Sequence, residues 1–196
     1  MTEDERKRAI KIALIAAGTA VVLVGVQWMS ASSFDPQTLP LPVPPGTLYP
    51  PIGATWADAR SMISSRFGPR DIGHGASKYH PGIDFRCPVG TPLRAVALGR
   101  IVMMKSAADG NAAGNRIVID HDNGWQARYL HLSRFADFQV GARVAGGMVI
   151  GYSGNTGNTT GPPLHWEWRN VRAGFDAKGL PLAYNPEAAF PALRSA

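Results

Sequence analysis

Cysteine occurs once in the 196 residues, at Cys87. That excludes an intramolecular disulfide and leaves the thiol as a small apolar group for the interior. It also removes the usual closing ligand of a structural zinc site, which takes four protein ligands, often cysteines. Basic runs are missing as well. The 20 Lys and Arg outnumber the 14 Asp and Glu, giving a formal charge of +6 and a pI near 9.8, so anionic surroundings are favoured. Yet the basic residues are scattered and no recognised binding motif appears, so nucleic acid is not an expected partner. Between Lys11 and Arg60 there is no Lys or Arg at all.

That gap holds the longest uncharged stretch, Ile12 to Phe34 (IALIAAGTAVVLVGVQWMSASSF). About 20 such residues suffice to cross a bilayer. Arg6, Lys7, Arg8 and Lys11 precede it, which places the N-terminus in the cytoplasm and the remainder outside, in the periplasm or cell wall. Residues 1–34 are therefore expected to be a cytoplasmic tail and a single transmembrane anchor. A cleaved signal peptide competes with this reading, because Ala31-Ser32-Ser33 offers small residues, although the apolar run exceeds a normal signal core. Residues 35–53 (DPQTLPLPVPPGTLYPPIG) carry seven prolines and read as an extended spacer reaching up to roughly 60 Å at ~3.1 Å per residue. Residues 54–196 then make one domain with room for one core.

Within that domain, His80 and Asp84 flank Pro81-Gly82-Ile83, and a second histidine, His165, lies far along the chain. Two imidazoles and one carboxylate are the ligand set of a catalytic zinc that keeps a position open for water. In a straight strand, residues 80 and 84 would sit about 13 Å apart, and Pro-Gly argues against a helix. A bend at Pro81-Gly82 is expected instead, folding His80 back towards Asp84.

The secondary-structure pattern is almost all strand. A helix is expected over Thr55 to Arg66, with Thr55 and Asp58 in capping-box spacing and Phe67-Gly68-Pro69 as its stop. β-branched and apolar runs follow at Leu93–Met104, Arg116–His121, Trp125–Leu132, Met148–Tyr152 and Leu164–Arg169, separated by turn residues such as Asp122-Asn123-Gly124. The expected fold is mainly β, a single antiparallel sheet domain. In the last run a period of two sends Leu164, Trp166 and Trp168 to one face and His165, Glu167 and Arg169 to the other, towards a groove. Glu167 reads as a structural group or an outer partner of His165. His121, at a strand end before a turn, reads as structural, and His74, in the loop Ile72-Gly73-His74-Gly75, as a loop residue that could border the site. Asn155 and Asn158 read as turn residues.

Four blocks from His80 onward, HPGIDFRCPVGTPLRAVALGRIV, GNRIVIDHDNGWQARYLHLS, GARVAGGMVIGYSGNTGNTT and GPPLHWEWR, resemble the lysostaphin-type (LytM-like) zinc metallopeptidases in family order and spacing. The similarity spans roughly Arg66 to Pro186. It implies Zn2+ held by His80, Asp84 and His165, with His131 of the Tyr-x-His-Leu-Ser block as the catalytic histidine and Tyr129 before it. It implies peptides of bacterial peptidoglycan as the partner, and a membrane-anchored zinc endopeptidase that cuts their cross-links as the function. One position departs from the pattern: the family's last block reads His-x-His, and here Pro163 stands where the first, catalytic histidine is expected. Proline neither accepts nor donates a side-chain proton. The alternative implied is a catalytically weakened zinc-binding domain that binds peptidoglycan or regulates another cell-wall hydrolase.

Overall fold

The computed structural model describes residues 47–70, 78–122, 124–159 and 164–194. The expected transmembrane segment, His74 and Pro163 lie outside these. No helix among the described residues is long and apolar enough to cross a membrane.

From Tyr49 to Ile52 the chain runs along the domain. Tyr49 donates its N–H to the Val96 carbonyl at 2.8 Å, and Ile52, fully buried, bridges to Leu93. A helix over Trp56–Ser61 follows, opened by the expected capping box: the Thr55 hydroxyl accepts from the Asp58 N–H, and the Asp58 carboxylate accepts from the Thr55 N–H. It ends five residues before the expected Arg66. Ile63–Ser65 are drawn off as strand β1 by pairing with a partner distant in sequence, which overrides local preference.

The remaining strands are β2 (Gly68–Pro69), β3 (Tyr79–His80), β4 (Ile83–Phe85), β5 (Pro92–Arg94), β6 (Gly99–Lys105), β7 (Asn115–His121), β8 (Trp125–Leu132), β9 (Arg134–Phe135), β10 (Arg143–Val144), β11 (Val149–Tyr152), β12 (Leu164–Phe175) and β13 (Pro181–Tyr184). All pairings are antiparallel. The main sheet runs β1-β4-β12-β8-β7-β6-β10, with β13 also on β12; β5-β11-β9 form a second, smaller sheet and β2-β3 a ribbon. The mainly-β antiparallel expectation holds, but the strands divide between two sheets and a ribbon rather than forming one. The run read as Leu93–Met104 is broken at Ala95–Leu98, so its first part joins the small sheet and its second the large one.

One core joins the two sheets. Phe85, Ile101, Ile117, Ile119, Tyr129, Trp166 and Trp168 come from the main sheet, and Leu93 and Ile150 from the small one, all essentially buried. Each such side chain contributes on the order of 1.5–3 kcal/mol by leaving water. At one margin Trp56 stacks on Phe190, ring centroids 5.0 Å apart, and Phe190 lies tilted against Trp166 and edge-on to Trp168. The helix and the C-terminal segment thereby close the core over β12. The opposite face of the main sheet is left open as a groove of about 690 Å³.

Candidate metal centre

Strand β12 shows the expected alternation. Leu164, Trp166 and Trp168 enter the core, while His165 and Glu167 line the groove. Register pairs His165 with Asp84 of β4 on one side and with Leu130 of β8 on the other. Pro81-Gly82 make the turn between β3 and β4, and Gly82 is required there: a Cβ on it would lie 2.3 Å from the Trp166 carbonyl oxygen. The turn swings His80 over β4, so the expected bend is present.

The result is a convergence of three donors. His80 Nε2 lies 3.0 Å from Asp84 Oδ1 and 3.0 Å from His165 Nδ1, and the last two atoms are 2.7 Å apart. Donors around tetrahedral zinc, with bonds of ~2.1 Å, stand roughly 3.4 Å from one another. The far nitrogens explain the orientation. His80 Nδ1 donates to the Arg66 carbonyl at 2.8 Å, and His165 Nε2 donates to Glu167 Oε1 at 3.2 Å, so in the neutral imidazoles that bind a metal both inward nitrogens present lone pairs. Two lone pairs and a carboxylate oxygen at such distances call for a shared cation, and outer acceptors of this kind accompany most metal-bound histidines. The residues fit zinc.

The electrostatics agree. Burial opposes an imidazolium at His165, but the hydrogen bonds and charges of Asp84 and Glu167 prevail and raise its pKa to about 9. Burial also opposes the Glu167 carboxylate, yet His165 and Arg169 hold it ionised, with a pKa of about 2. Asp84 is likewise held well below the usual carboxylate range by the two histidines against the cost of its burial. The pocket is built to hold positive charge.

His131 stands beside this cluster, its ring centroid 6.4 Å from that of His165. Strict strand alternation would send it into the core with Tyr129, which is fully buried and donates its hydroxyl to the Arg94 carbonyl. His131 instead takes a left-handed backbone, φ 66°, the one non-glycine residue among those described to do so. Both Leu130 and His131 consequently line the groove. Its Nδ1–H donates to the Thr156 carbonyl at 2.8 Å, which leaves Nε2 free to exchange a proton. Burial, helped by the nearby His165, lowers its pKa, with Thr156 opposing. The Thr156 hydroxyl donates to the Leu132 carbonyl and accepts from the Asn115 N–H, tying its loop to β7 and β8.

The other candidates divide between the core and the groove. His121 packs on Trp168 away from the groove, Cys87 is buried without a disulfide, and Asn158 reaches the groove margin. Thr156, behind His131, and Arg128, which lines the groove, were not singled out in sequence, because their roles depend on a main-chain carbonyl and on cross-strand register.

Residues 78–177, slightly more than half of the chain, match the description "Peptidase family M23". Among curated proteins, the peptidoglycan DD-endopeptidase ShyA of Vibrio cholerae is 43% identical over 113 residues, 56% of this chain and 25% of that protein. The DD-carboxypeptidase/endopeptidase Mpg of Neisseria meningitidis is 46% identical over 111 residues, 56% and 24%. The chain thus spans about a quarter of the length of these relatives. Among solved structures, the catalytic domain of the antimicrobial peptidase lysostaphin from Staphylococcus simulans superposes with a TM-score of 0.57 at 30% identity, covering 74% of this chain and 99% of that domain. A zinc-containing peptidase from Vibrio cholerae superposes with a TM-score of 0.51 at 29% identity, covering 68% of this chain and 36% of that one. With its four motif blocks, its antiparallel fold and these matches in agreement, the chain belongs to peptidase family M23.

Proposed function

We propose that the protein is a membrane-anchored zinc endopeptidase that hydrolyses peptide cross-links of bacterial peptidoglycan. The observation that carries this reading is the meeting of His80 Nε2, Asp84 Oδ1 and His165 Nδ1 at the floor of an open groove with His131 beside them. The names of the relatives, a peptidoglycan DD-endopeptidase among them, support the substrate class. The uncharged run at residues 12–34 behind its basic flank supports the anchor.

His80, Asp84 and His165 would hold the zinc, which when bound supplies a Lewis acid that acidifies a coordinated water and polarises the scissile carbonyl. The chain's own residues do the rest. Arg66 O and Glu167 keep the two imidazoles in the tautomers that face inward. His131, neutral at pH 7 and held through Nδ1 by Thr156, accepts the proton of the attacking water at Nε2 and returns it to the leaving amine, worth on the order of 10² to 10⁴ in rate. The groove floor between β8 and β12 receives the extended peptide.

The test is hydrolysis of peptidoglycan by the purified chain before and after chelation. Release of soluble peptides that chelator stops and zinc restores is the expected outcome; release unaffected by chelator rejects the reading.

A further inference from the structure

Arg128, in the middle of β8, sits opposite Glu167 of β12 in the main sheet and lines the groove. Its side chain is 10% exposed, yet it makes no hydrogen bond to any described residue; its Nε stands 3.3 Å from Glu167 Oε2, outside hydrogen-bond geometry. Its basic neighbours differ. Arg169 Nε donates to that same Glu167 oxygen at 2.6 Å and reaches Asp176 as well, and Arg116 is paired with Asp109 through both terminal nitrogens. The single charge of Glu167 is thus shared with Arg169 and His165 before it reaches Arg128. A guanidinium carries five N–H donors, and burying them unmet is costly. Burial accordingly disfavours its charged form, with Glu167 opposing. A guanidinium that borders the groove, with its Nε buried outside hydrogen-bond geometry and its terminal donors unmet by any described residue, is completed by an anion, and the planar fork matches a carboxylate in two parallel bonds.

The position sets the reach. Glu167 lies 3.2 Å from His165 Nε2 and 3.3 Å from Arg128 Nε, and an extended peptide advances ~3.3–3.6 Å per residue. Resting on the peptidase reading above, we propose that Arg128 binds a free carboxylate of the substrate within about two residues of the scissile amide. The preferred substrate class is then peptides with an acid beside the cut, rather than uncharged bridges. The acid could be the end of an uncross-linked stem peptide or one carried by the residue that forms the cross-link amide; the chemistry recognised is the same.

The test uses the zinc-loaded full chain and three matched peptides: one with a free terminal acid after the cut, its terminal amide, and a terminal amide carrying an internal carboxylate beside the cut. Steady-state kinetics and equilibrium binding to both zinc-loaded and chelator-treated protein are measured for the native chain, Arg128→Gln and Arg128→Lys. The native chain should favour an acid over the amide by about tenfold or more in kcat/KM and in binding. Arg128→Gln should abolish that preference, leaving zinc content and turnover of the amide within about threefold of native. Arg128→Lys, which keeps the charge and loses the fork, should retain part of it. Whichever acid is favoured identifies the source. A preference for acid that persists in Arg128→Gln, or that chelation removes, means that the metal reads the carboxylate and overturns the proposal. Equal binding of acid and amide, or of neither, also overturns it. Acid preference in binding without hydrolysis leaves the carboxylate site standing and rejects the peptidase reading instead.

Discussion

Glu167 serves three neighbours with one carboxylate: Oε1 accepts from His165, and Oε2 meets Arg169 and Arg128. Replacing it with Gln keeps the shape and removes the charge. Zinc affinity of Glu167→Gln should fall about 10- to 100-fold, read by competition with a chelating dye, and its melting temperature should drop because Arg128 loses its nearby counter-charge and Arg169 keeps only Asp176. His131 is tested differently. His131→Ala should retain stoichiometric zinc and lose about 10² to 10⁴ in kcat. In the native chain its ring should titrate below the ordinary histidine value of 6.5, since burial penalises the imidazolium. Imidazole NMR resonances, assigned with the alanine variant, measure that; a value above 6.5 contradicts the neutral base. The three metal-ligand candidates were readable from residue type and spacing, and His131 only through the resemblance of its Tyr-x-His-Leu-Ser block. Thr156 was not, because it acts through its main-chain carbonyl, which any residue carries.

The β3–β4 turn shows how an element turns sequence into a site. The pair Pro81-Gly82 signals a bend, but that a Cβ on Gly82 would lie 2.3 Å from Trp166 O appears only once β4 is packed on β12. Gly82→Ala should cost on the order of 1–3 kcal/mol and move His80 away from Asp84. Loss of zinc together with a lowered melting temperature is the expected outcome, and full zinc retention contradicts the packing. The alternation of β12 was legible because period two survives wherever one face is buried. Two boundaries were not: Ile63–Ser65 leave the expected helix to pair with β4, and Ala95–Leu98 divide an apolar run between two sheets. In both, pairing with a distant strand decides. The end of β8 escaped sequence reading for the opposite reason, a single left-handed residue at His131 that puts two neighbours on one face.

Across the described domain, the core closes one face of the main sheet with the small sheet, the helix and the C-terminal segment, and leaves the other open as a groove. The N-terminal run adds a proposed topology. A reporter fused after Arg194 should be active only outside the cytoplasm, and activity confined to the cytoplasm contradicts the anchor orientation. The metal centre joins fold to activity, so zinc reconstitution bears on it most directly. The purified chain is stripped with chelator and titrated with zinc while release of peptide from peptidoglycan is followed. Activity should return in proportion to zinc and saturate at one ion per chain, and Asp84→Ala, though folded, should stay inactive throughout. Hydrolysis that survives complete removal of zinc, or a folded chain carrying one zinc that releases nothing, contradicts a zinc peptidase built on His80, Asp84 and His165.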